Sequence, residues 1–307
     1  QNGESAKTGL LLAVQALLVS PEFLFRVEFD APGLDGKTIV SMPADFRLAN
    51  RLSYFLWSSM PDAELFQLAT ENKLHEPEVL AAQVRRMLAD PKGRALTQNF
   101  AGQWLTLRNL EQARPDPQKF PTFTPSLRNA MREETERFFA TIVAEDRSIF
   151  DFIGADFTFL NGELAAHYGI AGVEGPEFRR VQLDPKQRGG VLTQASVLTV
   201  TSYADRTSPV QRGVWILENI LNAPPPPPPP TVPPIEQTAK LHPGASMRFV
   251  LAQHRADPSC AACHQRMDPL GIAFENYDPI GRWRTRDGEF DVDAAGALPD
   301  GKKFSGA

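Results

Sequence analysis

The most constraining feature of the sequence is the segment Cys260-Ala261-Ala262-Cys263-His264, which contains both cysteines of the chain. On one helical turn the two cysteine side chains project to neighbouring points, so each sulfur can reach one vinyl group of a porphyrin beside the helix. His264 stands one turn beyond Cys260 and can turn its imidazole onto the iron from the same side. This spacing is the attachment signature of c-type haem. It predicts one covalent haem c, attached through Cys260 and Cys263, with His264 as the proximal iron ligand.

Three other interpretations of the motif remain open at this point. A zinc site would need two ligands beyond Cys260 and Cys263, and the chain offers no other cysteine and four other histidines. A redox-active pair of cysteines ordinarily opens a helix directly after a strand, whereas residues 256–258 have the composition of a loop. Coincidence is the third. The motif favours haem c over all three.

Length and composition set the class of the protein. A chain of 307 residues has room for about two domains or one large domain. Its 42% hydrophobic and 22% charged residues are typical of a globular protein. A net charge of −5 gives no basis for binding nucleic acid, and no basic run indicates a membrane surface. Haem c is attached where thiols meet an oxidising compartment, so we expect an exported, periplasmic protein.

Residues 9–19 form an apolar run that is too short to span a membrane. A single lysine precedes the run, and the run ends in Ser20-Pro21 without the small-residue cleavage pattern of a signal peptide. We therefore predict a core helix there and no membrane span in the chain. The segment 304–307 carries no clear stop, so we expect a piece of a longer protein.

Apolar residues at helical spacing predict a mainly α fold. We expect a multi-helix domain over residues 1–170, followed by a haem-c-binding domain with a few short strands over 171–307. Asp287-Gly288 is a hairpin signal in the second region. Pro269 and Gly271 are expected to end the helix of the motif. The predicted helices cover residues 6–19, 76–89, 92–107, 126–145, 161–168, 210–221 and 245–255, with two more beginning near residues 43 and 61.

An acidic cluster and a run of prolines both have structural rather than catalytic or binding interpretations. Glu133, Glu134 and Glu136 alternate with arginines, which favours a solvated helix face over an acid–base centre. Seven prolines at residues 224–230 favour a stiff polyproline II connector over a docking site for an aromatic groove.

The sixth iron ligand would decide what a haem here does. Met267 lies three residues after His264 on the same helix, so its sulfur points to the face that His264 already holds. We therefore expect Met267 to pack against the haem. His254 is the preferred candidate for the opposite face, and the alternative is a histidine at the surface or one that contacts a ligand without binding the iron. Met247, His242 and Tyr277 are weaker candidates.

Arginines are the natural partners of haem propionates, because their planar fork suits a carboxylate. Arg282 and Arg284 alternate on a predicted strand, and Arg206 and Arg212 flank a predicted helix start. Structural salt bridges are the alternative for all four. Phe274 and Tyr277 are expected to shield the haem edge.

Several phrases resemble the planctomycete-type cytochrome c family, large exported bacterial proteins built from serial domains of unknown function. The resemblance spans nearly the whole chain, and the last phrase is highly specific. It implies an exported haem-c protein, with a further haem module upstream and a small domain downstream that this chain does not contain. The phrases are SPEFLFR (20–26), RLSYFLWSSMPD (51–62), RRMLADP (85–91), FAGQWL (100–105), RTSPVQRGVWILENIL (206–221) and CAACHQRMDPLGIAFENYDPIGRWR (260–284).

The leading functional hypothesis is a c-type cytochrome domain that passes electrons to a redox partner protein or a further haem domain. A peroxidase-like haem oxidoreductase with an open distal site is the second hypothesis. The third is a non-catalytic scaffold subunit of a larger assembly.

Overall fold

The protein is described from a computed structural model. The structure describes residues 5–25, 28, 31–32, 39–40, 42–227, 235–242, 244–256, 258–298 and 300–307. These residues fall into two compact units, Gln1–Gly93 and Arg94–Ala307. A domain boundary near residue 170 stays a prediction.

The first unit is built from short helices with local start signals. The Asp62 side chain accepts a hydrogen bond from the backbone N–H of Leu65, and Pro77 occupies the first position of the next helix. The helices predicted near residues 43, 61 and 76–89 are confirmed. The elements are α1 (Ala6–Leu18), α2 (Pro21–Leu24), β1 (Ala31–Pro32), β2 (Ile39–Val40), α3 (Ala44–Trp57), α4 (Ala63–Thr70), α5 (Pro77–Ala89) and a 3-10 turn at Pro91–Gly93.

The first helix is present where it was predicted, but its burial was predicted wrongly. No residue of α1 is buried within the described part of the chain, and Leu10 and Leu17 are about two-thirds exposed. The α1 sequence has only three polar residues, Lys7, Thr8 and Gln15, so it lacks the broad polar face that would orient it on a core. Composition predicted the helix but not its environment.

Buried polar contacts hold the first unit together. Asp45, in the first turn of α3, accepts hydrogen bonds from the backbone N–H of Leu74 at 2.8 Å and from the His75 ring at 3.0 Å. The Trp57 indole donates to the carbonyl of Met87 at 2.8 Å. These contacts join α3 to the segment after α4 and to α5.

The second unit contains most of the helices and several short strands. Its helices are α6 (Arg94–Leu96), α7 (Gly102–Trp104), α8 (Pro125–Ala144), α9 (Asp151–Gly154), α10 (Gly162–Tyr168), α11 (Ala195–Val200), α12 (Pro209–Asn219), α13 (Ile235–Leu241), α14 (Met247–His254) and α15 (Pro258–Ile272). Residues 97–101 are π-helical, so the predicted helix 92–107 is interrupted. The strands are β3 (Phe157–Leu160), β4 (Arg179–Gln182), β5 (Arg286–Asp287), β6 (Phe290–Asp291), β7 (Ala295–Ala297) and β8 (Lys303–Ser305).

The mainly α fold class is confirmed. The described strands form only antiparallel pairs: β1–β2, β3–β4, β5–β6 and β7–β8. The hairpin predicted at Asp287-Gly288 is the β5–β6 pair. The β3–β4 pair was missed, because its strands lie 18 residues apart and only tertiary packing joins them. Of the predicted polyproline connector, residues 228–230 lie outside the described part.

Two hydrophobic clusters fill the second unit. One gathers around Phe138, Trp215 and Tyr277, and the other around Met131 and Leu164. The indole of Trp215 donates to the Thr106 hydroxyl at 2.8 Å. The indole of Trp104 donates to the carbonyl of Asn219 at 2.6 Å. These two bonds anchor both the middle and the end of α12 to the body of the unit.

No helix among the described residues has the length and apolar character that a membrane crossing requires.

A buried carboxylate contradicts one sequence prediction. Glu134, expected on a solvated face, is 1% exposed. It accepts hydrogen bonds from Tyr168 at 2.6 Å and Thr158 at 2.7 Å. Burial raises the pKa of Glu134 to about 7, against hydrogen bonds from Tyr168 and Thr158 and the charge of Arg188. Arg132 and Arg137 flank Glu134 in the sequence, and these neighbouring charges led to the wrong prediction of a solvated face.

A buried histidine in the same unit has the opposite shift. His167 donates a hydrogen bond through Nε2 to the carbonyl of Ile280 at 2.7 Å. Burial lowers the pKa of His167 to about 4, although the Ile280 carbonyl favours its protonated form. The two groups therefore oppose each other in how pH changes stability.

We expect Glu134→Gln to change the pH dependence of unfolding. Folded Glu134 keeps its proton up to about pH 7, whereas an unfolded glutamate releases it near pH 4.5. Its contribution to stability is therefore full below pH 4.5 and is lost as the pH rises toward 7. The variant lacks that loss, so its free energy of unfolding relative to wild type should rise by about 3 kcal/mol over this range.

Denaturant unfolding from pH 4.5 to 7 measures this difference. In a Trp57→Phe background the remaining tryptophans all report on residues 94–307. His167→Gln is the matched control with the opposite sign. Its stability relative to wild type should rise as the pH falls from 6.5 toward 4. A Glu134→Gln curve parallel to wild type would contradict the buried, protonated state.

Candidate functional site

Helix α15 carries the cysteine and histidine motif. Cys260 is buried and Cys263 is partly exposed, and no disulfide joins them in the described part of the chain. Residue 257 and the side chains of residues 258 and 259 lie outside the described residues. The motif lies on the first turns of α15, where Cys260 and Cys263 are three residues, or nearly one helical turn, apart.

The end of α15 differs from the sequence prediction. Pro269 was expected to stop the helix, but the helix continues through it to Ile272. A proline inside a helix removes one backbone hydrogen bond and normally costs stability. The tight packing of this half of α15 on α12 offsets that loss of stability.

Helices α12 and α15 cross at backbone distance. A Cβ atom added at Gly213 would lie 1.9 Å from the carbonyl oxygen of Met267. A Cβ atom added at Gly271 would lie 1.7 Å from the carbonyl oxygen of Pro209. Only glycine fits at either position, so this pair of glycines fixes where α15 lies on α12.

His264 is held by a carboxylate one turn further along α15. Its Nδ1 lies 2.8 Å from Oδ1 of Asp268. Asp268 is completely buried, and its Oδ2 lies 3.6 Å from Nε of Arg255. When Nδ1 donates to Asp268, Nε2 is left as the nitrogen that can bind a metal.

His254, at the end of α14, lies directly against His264. The two ring centroids are 4.9 Å apart with the rings nearly perpendicular. His254 is buried, and its Nδ1 lies 3.4 Å from the Thr238 hydroxyl. A bound imidazole nitrogen lies about 2 Å from its metal, so ring centres on opposite faces of one ion are about 6 Å apart. Both histidines could ligate one iron only after the rings separate, and the role of His254 as sixth ligand stays a prediction.

The other candidates for the sixth ligand have different surroundings. His242 makes an edge contact with the ring of Phe249, with centroids 5.2 Å apart. Met247 begins α14 and lines a small cavity. Tyr277 is 1% exposed, and its hydroxyl donates to the carbonyl of Gln187. Met267 is buried in α15, and its expected role in packing against a haem stays a prediction.

Arg212 is occupied by the chain that follows α15. Its guanidinium donates to the carbonyls of Phe274 at 2.6 Å, Tyr277 at 3.0 Å and Asp278 at 3.1 Å. Burial lowers the pKa of Arg212 to about 10, against the charge of Glu275. Its position supports the alternative of a structural role over a propionate partner.

The other three arginines also have protein partners. Arg284 donates to the carbonyl of Glu275 at 3.0 Å and to the Asp287 carboxylate at 2.6 Å. Arg282 donates to the Asp278 carboxylate at 2.8 Å and is partly exposed. Arg206 donates to the Thr207 carbonyl at 3.3 Å. Their proposed contact with propionates stays a prediction.

Phe274 and Tyr277 follow α15 and belong to the hydrophobic cluster of Phe138 and Trp215. Tyr277 stacks edge-on against Trp283, with centroids 5.3 Å apart. This segment ties the end of α15 into the core of the second unit.

No group of three or more His, Cys, Asp or Glu side chains within the described ranges is arranged to hold a metal ion. A porphyrin supplies four nitrogens to its iron, so one or two protein ligands suffice there.

Two protein-family models match successive segments of the chain. Residues 44–170 match the model of PSD4, a protein family of unknown function (DUF1592). Residues 188–287 match the model of PSCyt3, a protein family of unknown function (DUF1588). The two domains belong to planctomycete cytochrome c-type families. No curated protein and no solved structure matched the chain.

In this planctomycete cytochrome c-type chain, the second match contains the whole motif region. It includes Cys260, Cys263 and His264 together with His254 and Asp268. Sequence reasoning missed Asp268 and Arg255 as partners of the histidine. The spacing of four residues between His264 and Asp268 on a predicted helix was the available signal.

We expect Gly213→Ala and Gly271→Ala each to destabilise residues 94–307. Each added methyl meets a backbone carbonyl of the facing helix, which cannot move as a side chain end can. The free energy of unfolding should fall by about 1–3 kcal/mol, measured by denaturant unfolding in the Trp57→Phe background.

Gly102→Ala is the matched control for these two variants. Gly102 is a buried glycine with helical backbone angles, and nothing lies within 4 Å of an added Cβ atom. This variant should be as stable as wild type or slightly more stable. Wild-type stability in both Gly213→Ala and Gly271→Ala would contradict the close crossing of α12 and α15.

Proposed function

We propose that the chain is an exported c-type cytochrome segment that carries one covalent haem and passes electrons. The observation that carries this proposal is the arrangement on α15. Cys260 and Cys263 lie one helical turn apart, and His264 follows with its Nδ1 already bonded to Asp268. That is the donor set that covalent haem c requires.

The side chains of Cys260, Cys263 and His264 have the chemical groups that bind haem c. The two thiols can form thioethers with the vinyl groups, and Nε2 of His264 can bind the iron. A bound haem would supply a one-electron redox centre, whose potential the axial ligands and their surroundings adjust. In this structure the ring of His254 contacts the ring of His264.

The family supports the compartment of this proposal. Membership in planctomycete cytochrome c-type families favours an exported protein. Thioether attachment of haem also belongs to an exported compartment. The electron partner would be a redox protein or a further haem domain of the same assembly.

A peroxidase-like haem oxidoreductase is the second candidate. The observation in its favour is the contact between His264 and the buried Asp268. A carboxylate on the far nitrogen of a ligating histidine makes that ligand more basic. An electron-rich proximal ligand favours cleavage of an oxygen–oxygen bond.

The pyridine haemochrome spectrum of the full chain tests haem attachment. The chain should be exported to the periplasm of a bacterium that carries a haem-c attachment system. The wild type should show the spectrum of a haem with both vinyl groups saturated. Cys260→Ser and Cys263→Ser should each change this spectrum, because one vinyl group would remain.

Ala261→Ser is the matched control, since it adds a hydroxyl within the motif and keeps both thiols. It should give the wild-type spectrum. Wild-type protein that returns from the periplasm without haem would contradict the proposal.

Added cyanide separates the two candidate functions. An absorption spectrum that does not change with cyanide indicates a six-coordinate iron and favours electron transfer. A spectral shift indicates an open sixth position and favours the peroxidase-like function.

A further inference from the structure

We propose that Asp268 positions the proximal histidine and lowers the reduction potential of the haem. This inference rests on the proposed function, because it concerns the ligand of the same iron. It assigns a role to a buried carboxylate that the attachment motif itself does not include.

The burial of Asp268 requires an explanation. Its exposure is 0%, and a buried carboxylate costs stability unless it is paired and hydrogen-bonded. Oδ1 has one strong partner, Nδ1 of His264 at 2.8 Å. Within the described residues Oδ2 makes no hydrogen bond, and it forms an ion pair with Arg255 at 3.6 Å. The carboxylate is therefore directed at the histidine ring rather than at a structural network.

The contact fixes the histidine ring. Residues four apart on a helix lie on the same face, so Asp268 stands beside His264 on α15. When Nδ1–H donates to Oδ1, the lone pair of Nε2 is the only one left for a metal. The hydrogen bond also fixes the rotation of the ring about its Cβ–Cγ bond. Such partners are the usual supports of ligating histidines in metal sites.

The contact also places a negative charge beside the ligand. A buried charge acts through a low dielectric, so its effect on a nearby metal is large. Ferric haem carries one more positive charge than ferrous haem, so the carboxylate stabilises the ferric state. Arg255 offsets this effect in part, because its cation lies on the other oxygen of the same carboxylate.

Asp268→Asn separates charge from positioning. The asparagine oxygen still accepts a hydrogen bond from Nδ1, but the negative charge is lost. In the exported holoprotein, the ratio of reduced to oxidised haem at a fixed solution potential should rise about tenfold, a shift of about 59 mV for a one-electron couple. A spectroelectrochemical titration measures this shift.

Asp268→Ala removes both effects and should add a second signature. Its potential should rise as in the asparagine variant, and its ferric absorption bands should change because the ring of His264 is no longer held. The control is Asp291→Asn, an equal change in net charge at a side chain that is 92% exposed. The control should keep the wild-type potential and spectrum.

The outcomes distinguish this inference from the proposed function. Wild-type protein without haem contradicts the proposed function and removes the basis for the inference. Haem-loaded Asp268→Asn with the potential of wild type and of Asp291→Asn overturns the inference alone.

Arg255→Gln keeps the inference testable if the Asp268 variants fail to fold. Removing this cation leaves the carboxylate charge less compensated, so the potential should fall below that of wild type. An equal or higher potential would overturn the inference.

Discussion

The close crossing of α12 and α15 is the constraint on which the rest of the second unit depends. Gly213 and Gly271 let the two backbones touch, and any larger residue at either position would push them apart. Helix α12 is in turn anchored by the indoles of Trp104 and Trp215. Helix α15 therefore occupies a fixed place, although Pro269 interrupts its hydrogen bonds. The cysteine and histidine motif begins on a helix whose position the core determines.

Buried polar groups give the same unit its chemical character. Arg212 holds the segment that follows α15 by donating hydrogen bonds to the carbonyls of Phe274, Tyr277 and Asp278. Burial favours the neutral forms of both Glu134 and His167, so it raises the pKa of Glu134 and lowers the pKa of His167. Asp268 differs from them, because its main partner is the histidine of the motif. Its hydrogen bond to His264 is short, at 2.8 Å, and its ion pair with Arg255 is longer, at 3.6 Å. That arrangement is typical of a carboxylate that supports a ligating histidine.

The sequence predicted features that depend on neighbouring residues better than features that depend on tertiary packing. The motif, the hairpin at residues 287–288 and most helix positions follow from spacing and turn chemistry, which the sequence carries locally. The burial of Glu134 and the exposure of α1 do not, because both depend on which elements meet in space. The continuation of α15 past Pro269 has the same origin, since packing on α12 offsets a local penalty. Asp268 was visible in the sequence only as a spacing of four from His264.

The mass of the intact exported chain tests the central claim most directly. Thioether bonds survive denaturation, whereas a haem held by its ligands alone is lost in acid and organic solvent. Mass spectrometry under denaturing conditions should therefore show the polypeptide plus one haem, and the bare polypeptide mass should appear when Cys260 and Cys263 are both replaced by serine. A wild-type chain that has only its polypeptide mass, after export in the presence of a haem-attachment system, would contradict the account.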